Sequence, residues 1–207
     1  MNARVISGTY KGRLLKLPEL EEVRPTKDRV KESMFEIIKP YIVDADVLDL
    51  FSGSGAIGIE AISRGAKSCT FVEREPICLE TIGENLENLK IGVGAGPCAC
   101  PNGIEGGHRG PPLQSAIVIQ SDVFKALKRF ADQGIKFGII IADPPYGMDH
   151  IRKLLIKLGT YDIFKKPHIL VLEHFIKEDI PQKEGHLILL KQYKYGDSVL
   201  SILKKEL

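Results

Sequence analysis

Apolar residues recur along this chain in two different periods. Short continuous runs, "DVLDLF" (46–51), "SCTFVER" (68–74), "AIVIQSD" (116–122), "FGIIIADPP" (137–145) and "HILVLEH" (168–174), have the length and composition of buried strands. Between them lie stretches with helical spacing. Val30, Met34, Ile37 and Ile38 recur in "RPTKDRVKESMFEIIKPYI", which Thr26 caps after Pro25 and Pro40 is expected to close. "AIGIEAISRG" ends at Gly65, "PICLETIGENLENLKI" carries proline in its first turn, and further helices fall near 123–132 and 149–159. "RVISGTYKGRLLKLP" (4–18) reads as two short strands about a glycine turn, and "LILLKQYKYG" with "SVLSILKKE" as a hairpin around Gly196–Asp197. Strands alternating with helices, then a terminal hairpin, predict an α/β fold whose sheet is mainly parallel with an antiparallel edge.

One segment breaks the pattern. "GVGAGPCACPNGIEGGHRGPPLQS" (92–115) holds seven glycines and four prolines and few large apolar side chains, too little surface to offset the entropy of ordering. It is expected to be a flexible surface loop inserted between a helix and its strand.

At 207 residues the chain suits one α/β domain with a small appendage, residues 1–40 forming an N-terminal hairpin and helix extension to a domain over 41–207. No run approaches the ~20 apolar residues that cross a bilayer, and the amino end lacks the centre of a signal peptide, so a cytoplasmic protein with reduced thiols is expected. Cys98, Cys100 and His108 do not make the two paired sets of a zinc site, and no metal is expected. The net charge of +2 demands no polyanionic partner, but residues 1–16 contain Arg4, Lys11, Arg13 and Lys16 and no acid. Such a cluster can contact nucleic-acid phosphates or be an ordinary charged hairpin face.

"GSGAIG" within "DLFSGSGAIGIEA" (49–61) matches the glycine pattern of dinucleotide-binding folds. Glu73, twenty residues past Gly53, can accept hydrogen bonds from ribose hydroxyls, which fits NAD and equally any adenosine cofactor. Asp49 separates the two. A carboxylate there is poorly placed beside a pyrophosphate and well placed beside a cationic amino-acid end. "ADPPYG" (142–147) at the end of a later strand points the same way, because enzymes that methylate an exocyclic amine use such a motif and dehydrogenases do not. The amine of adenine or guanine is a weak nucleophile, its lone pair delocalised into the ring. The Asp143 carboxylate and the Pro144 carbonyl can hold its two N–H groups, and consecutive prolines fix the backbone that aims them. Tyr146 offers a face on which a flipped-out base can stack. A sulfonium methyl would be the electrophile.

"RPTKDRVKESMFEII", residues 47–66 and "ADPPYG" together resemble the RsmD family, methyltransferases that act on guanine N2 of small-subunit ribosomal RNA. The resemblance runs from Arg4 to about Lys205 and departs at 92–115 and at Gly138, where the family usually has an acid. It implies a Rossmann-like class I methyltransferase fold, seven strands in a mainly parallel sheet, with S-adenosylmethionine as cofactor. By the resemblance, Asp49, Phe51, Gly53, Ser54 and Gly55 form the cofactor loop and Glu73 the ribose acid. Asp122 meets the adenine amine with Val123 beside the ring, and Asp143, Pro144, Pro145 and Tyr146 form the catalytic loop. Arg24, Thr26, Asp28 and Arg29 belong to a segment expected to close over cofactor and base. The implied partner is ribosomal RNA within a small-subunit assembly intermediate, bound by a monomer. The alternative is an adenine-N6 methyltransferase of DNA or RNA, which uses the same loop. Against these stand plainer roles: Asp49 and Asp122 as turn acids at strand ends, and Arg24 and Arg29 as solvated helix charges.

Overall fold

The computed structural model describes residues 3–20, 28–94, 115–145 and 148–206. A two-stranded sheet of β1 (Ala3–Arg4) and β2 (Leu14–Leu15) precedes α1 (Asp28–Ile42). Then come β3 (Asp46–Leu50), α2 (Ala56–Ser63), β4 (Ser68–Glu73), α3 (Pro76–Asn88), β5 (Gly92–Val93) and β6 (Ser115–Gln120). The chain continues through α4 (Val123–Asp132), β7 (Phe137–Ala142), α5 (Met148–Thr160) and β8 (Phe164–Phe175), and ends with β9 (Lys183–Glu184), β10 (Leu187–Tyr195) and β11 (Ser198–Lys205). The main sheet has the order β5-β6-β4-β3-β7-β8-β11-β10-β9. Seven strands are of full length; the two-residue β5 and β9 add one short strand at each edge. Pairing is parallel from β5 to β8 and antiparallel where β11 enters between β8 and β10.

The central strands are mostly apolar because both faces are covered. Val47, Phe71, Ile139, Ile141 and Val171 pack under α1, α2 and α3; Leu48, Leu50, Ile140 and Leu172 pack against α4 and α5. β3 pairs with β4 on one side and β7 on the other, so the chain reverses its direction of travel across the sheet between β3 and β7. Outside the carboxyl ends of the strands at such a reversal, parallel sheets leave a crevice for ligands.

Two local expectations are corrected. Pro40 does not close α1, which runs on to Ile42; burial of Ile42 in the core holds that last turn although Pro40 donates no backbone hydrogen bond. The inserted segment does not begin at Gly92, since Gly92 and Val93 pair with Ser115 and Ala116. Residues 95–114, with Cys98, Cys100 and His108, lie outside the described residues. Among those described, no helix is long and apolar enough to cross a membrane.

Candidate active site

The carboxyl ends of β6, β4, β3 and β7 carry the acids singled out by sequence, and the registers align them. Val72, Leu50, Ala142 and Leu172 are mutual partners across β4, β3, β7 and β8. One residue further on, Glu73, Phe51, Asp143 and Glu173 therefore stand level. At about 4.8 Å between neighbouring strands, Asp143 is ~5 Å across the sheet from the turn at Phe51 and ~10 Å from Glu73. The 143–145 segment and the glycine turn thus share one edge of the sheet.

The turn itself is built by carboxylates. Asp49, 2% exposed beneath α2, accepts a 2.9 Å hydrogen bond from the Gly58 N–H. Glu73 accepts from the backbone N–H of Gly53 at 2.9 Å, of Arg74 at 2.7 Å and of Glu75 at 3.1 Å. Gly55 N–H donates to the Ser52 carbonyl at 2.7 Å, and Ser52 Oγ ties β3 to β4 through the Asp49 carbonyl and the Val72 amide. Burial pushes the Asp49 carboxyl up to about 8, the Gly58 hydrogen bond working against this and the nearby charge of Glu73 adding to it.

Backbone strain marks the same place. Phe51 has φ 60°, a left-handed conformation unusual for a bulky residue. It breaks the strand's alternation: the ring packs with the α4–α5 side, whereas Asp49, two residues back, faces α2. Gly53 and Gly55 follow with φ of 53° and 75°. A Cβ on Gly58 would lie 2.3 Å from the Phe71 ring and 2.7 Å from Cys69 Sγ, so only glycine lets α2 sit this close to β4.

This donor set answers the question that the glycine pattern raised. A pyrophosphate needs backbone N–H groups at the helix N-terminus. Here the N–H groups of Gly53 and Gly58 are given to carboxylates and that of Gly55 to a carbonyl. With those amides already taken, the turn offers no cradle for a dinucleotide's phosphates, and the oxygens of Asp49 and Glu73 could instead accept from an ammonium group and a ribose diol. These residues could hold S-adenosylmethionine, whose cationic end would favour the ionised form of Asp49 and whose ribose hydroxyls could donate to Glu73.

Asp122 caps α4, its Oδ1 accepting from the Phe124 and Lys125 N–H groups at 3.1 Å each. It follows β6, which neighbours β4, so it stands one strand beyond Glu73 at the same edge, with Val123 buried behind it. Asp143 is half-buried, Pro144 buried and Pro145 exposed. Tyr146, Arg24 and Thr26 lie outside the described residues. Arg4 pairs with Asp28 at 3.1 Å, both exposed, while Arg29 and Lys11 are exposed. Arg13 donates to the Asn88 carbonyl at 3.1 Å, so part of the basic amino end is held against α3.

Sequence reasoning missed three polar residues that shape this edge. Glu60 on α2 is fully buried and accepts from the N–H groups of Ile6 and Ser7 at 2.7 and 3.0 Å and from Arg64 at 2.7 Å, with Lys31 3.8 Å away. Asn85 on α3 accepts from Lys16 N–H at 2.8 Å and donates to the Lys16 and Ser54 carbonyls at 3.1 Å, clamping the amino-terminal segment to the glycine turn. Glu173, 7% exposed, stands level with Asp143 on the next strand. The signal for Glu173 was present: a carboxylate in the otherwise apolar run "HILVLEH".

Comparison with known proteins agrees with this architecture. A family model described as conserved hypothetical protein 95 matches residues 3–99 and 108–204, its break falling inside the glycine-rich insert. YlbH of Bacillus subtilis is 35% identical over 202 residues, 98% of each chain. Ribosomal RNA small subunit methyltransferase D of Haemophilus influenzae is 33% identical over 193 residues, covering 93% of this chain and 89% of its own. The solved structure of yhhF from Escherichia coli matches with a TM-score of 0.77 at 27% identity, covering 100% of this chain and 99% of that one. The fold is that of the class I methyltransferases, and the chain belongs to the conserved hypothetical protein 95 family, the RsmD methyltransferases.

Proposed function

We propose that this protein methylates the exocyclic N2 amine of a guanine in small-subunit ribosomal RNA, with S-adenosylmethionine as methyl donor. Family membership supports the ribosomal RNA substrate, since the Haemophilus influenzae relative carries that activity in its name. The observation that carries the chemistry is the register that sets Asp143 level with the glycine turn at Phe51, at the reversal point of the sheet.

The bound cofactor supplies a methyl group on a sulfonium centre, an electrophile that needs no metal. Asp49 and Glu73 hold its cationic end and its ribose, and Asp122 with Val123 receives the adenine. The Asp143 carboxylate and the Pro144 carbonyl accept the two N–H groups of the target amine and favour a pyramidal nitrogen whose lone pair points at the methyl group. Positioning of this kind supplies most of the rate. Tyr146 stacks on the flipped base, and Pro145 fixes the loop. Arg24, Thr26, Asp28 and Arg29 close over the site, and Arg4, Lys11 and Arg13 meet RNA phosphates. The protein acts in the cytoplasm as a monomer on a small-subunit assembly intermediate.

Incubation with small ribosomal subunits and cofactor labelled in its methyl group, followed by digestion to nucleosides, tests this. Label in N2-methylguanosine is the expected result. Label in N6-methyladenosine, or none on RNA, overturns it.

A further inference from the structure

Sequence reasoning treated the carboxyl-terminal hairpin as an edge of the fold. Its side chains on the α1 side suggest more. α1 places Arg29, Ser33, Ile37 and Tyr41 at four-residue spacing along one flank. Opposite them, β10 places Lys191, Tyr193 and Tyr195 on one face of the sheet, paired with Ile202, Leu200 and Ser198 of β11. The α1 row meets β10 at one end and β11 at the other. The Ser33 and Tyr195 hydroxyls are hydrogen-bonded, and Lys204 Nζ lies 5.5 Å from the centre of the Tyr41 ring. Lys191 Nζ lies 4.8 Å from the centre of the Tyr193 ring.

Tyr41, Tyr193 and Tyr195 are half-buried, each packed against the core, while Lys191 and Arg29 are exposed. None of these side chains is acidic. Glu36, on α1, instead engages Arg64 and Lys39, each at 3.5 Å, and Asp197 lies in the tip turn beyond Tyr195. The strip also has a direction. Tyr193 pairs with Leu200, Leu200 with Glu173, and Glu173 stands level with Asp143, so Tyr193 is three strand spacings, ~15 Å, from the catalytic loop on the same level. β10 runs in the same direction as β8, which brings Tyr195 to the edge that carries Asp143.

Aromatic faces interleaved with cations, continuous with a site that takes a flipped base, fit single-stranded RNA: bases stack on rings and phosphates meet ammonium and guanidinium groups. We propose that the surface strip along α1, β10 and β11, formed by Arg29, Tyr195, Tyr193, Lys191, Lys204 and Tyr41, carries the RNA strand flanking the target nucleotide. This rests on the methyltransferase function proposed above.

The test is fluorescence-anisotropy titration of the full chain with a labelled single-stranded RNA of ~12 nucleotides, at several salt concentrations. Methyl transfer to small subunits and affinity for S-adenosylhomocysteine are measured in parallel. Lys191→Gln with Lys204→Gln should weaken RNA binding about tenfold and reduce the slope of log affinity against log salt by ~1.4, the share of two single-strand phosphate contacts. Tyr193→Leu should weaken binding at least fivefold with little change in slope. Cofactor-product affinity should stay within twofold in all of these, and Lys125→Gln with Lys128→Gln, on α4 across the sheet, should change nothing. A wild-type protein that methylates RNA while the strip variants keep full RNA affinity overturns the strip's role alone. A wild-type protein that neither binds nor methylates RNA overturns that role together with the function on which it rests.

Discussion

The carboxylate of Asp49 accepts its 2.9 Å hydrogen bond from the Gly58 N–H in a place almost closed to water. Burial holds the proton on it up to about pH 8, whereas an exposed aspartate ionises near 3.8. Between those values the unfolded chain has lost a proton that the folded chain keeps, so this group's contribution to stability falls as pH rises from about 4 to 8 and then levels. Asp49→Asn keeps an oxygen to accept from Gly58 and removes that dependence. Thermal unfolding from pH 5 to 8 should show the variant's melting temperature gaining steadily on wild type, by a few degrees at pH 8. A gap that narrows with rising pH contradicts the assignment. Cofactor affinity should fall in the same variant under the proposed role, in which a bound cationic group draws the proton off Asp49, because an amide cannot ionise.

Gly58 itself is under steric constraint. A methyl group there would have to move the Phe71 ring or Cys69, both buried in the core. Gly58→Ala should cost about 1–3 kcal/mol in urea unfolding, the ordinary penalty of overpacking. An unchanged midpoint would mean that α2 can lift away from β4 at no cost.

Glu60 is the group through which α2 holds the amino-terminal segment. Removing it takes the counter-charge from the buried ammonium of Lys31, whose pKa burial already lowers and which keeps its 2.6 Å hydrogen bond to the Arg4 carbonyl, and frees the amides of Ile6 and Ser7. Glu60→Ala should destabilise by about 3–5 kcal/mol, as expected for half of a buried pair. Glu84→Ala, which breaks only the exposed contact with Lys16, should cost under ~1 kcal/mol. Chemical denaturation of both variants measures the difference; equal effects would refute it.

Asn85 joins Lys16 to the Ser54 carbonyl in the glycine turn. Asn85→Ala leaves buried backbone groups unpartnered, worth about 1–3 kcal/mol, and releases the turn from the amino-terminal segment. Titration calorimetry with S-adenosylhomocysteine should show several-fold weaker binding. Wild-type affinity in a folded variant would show that Ser54 is held elsewhere.

These cases mark where the sequence was legible. β3, β4, β7 and residues 169–172 of β8 are buried on both faces, so they read as apolar runs, and Glu73 and Asp143 end two of them because those strands stop where the crevice begins. "ADPPYG" carried its chemistry in adjacent residues. Glu60 and Asn85 act across 54 and 69 positions of sequence, so nothing beside them signals their partners. Pro40 read as a helix end because local chemistry says so, and burial of Ile42 overrode it. The terminal hairpin is legible as a hairpin, but only the register makes Tyr193 level with Asp143, and only the fold brings Tyr195 to Ser33 of α1.

The most direct test is a paired measurement on Asp143→Ala: methyl transfer to small ribosomal subunits, and affinity for S-adenosylhomocysteine. Transfer should vanish while affinity stays within a few fold of wild type, because the proposed function gives Asp143 the target amine and the glycine turn the cofactor. Transfer that survives the substitution would contradict the role given to the loop. So would a cofactor that no longer binds, since that would move Asp143 from the base to the cofactor.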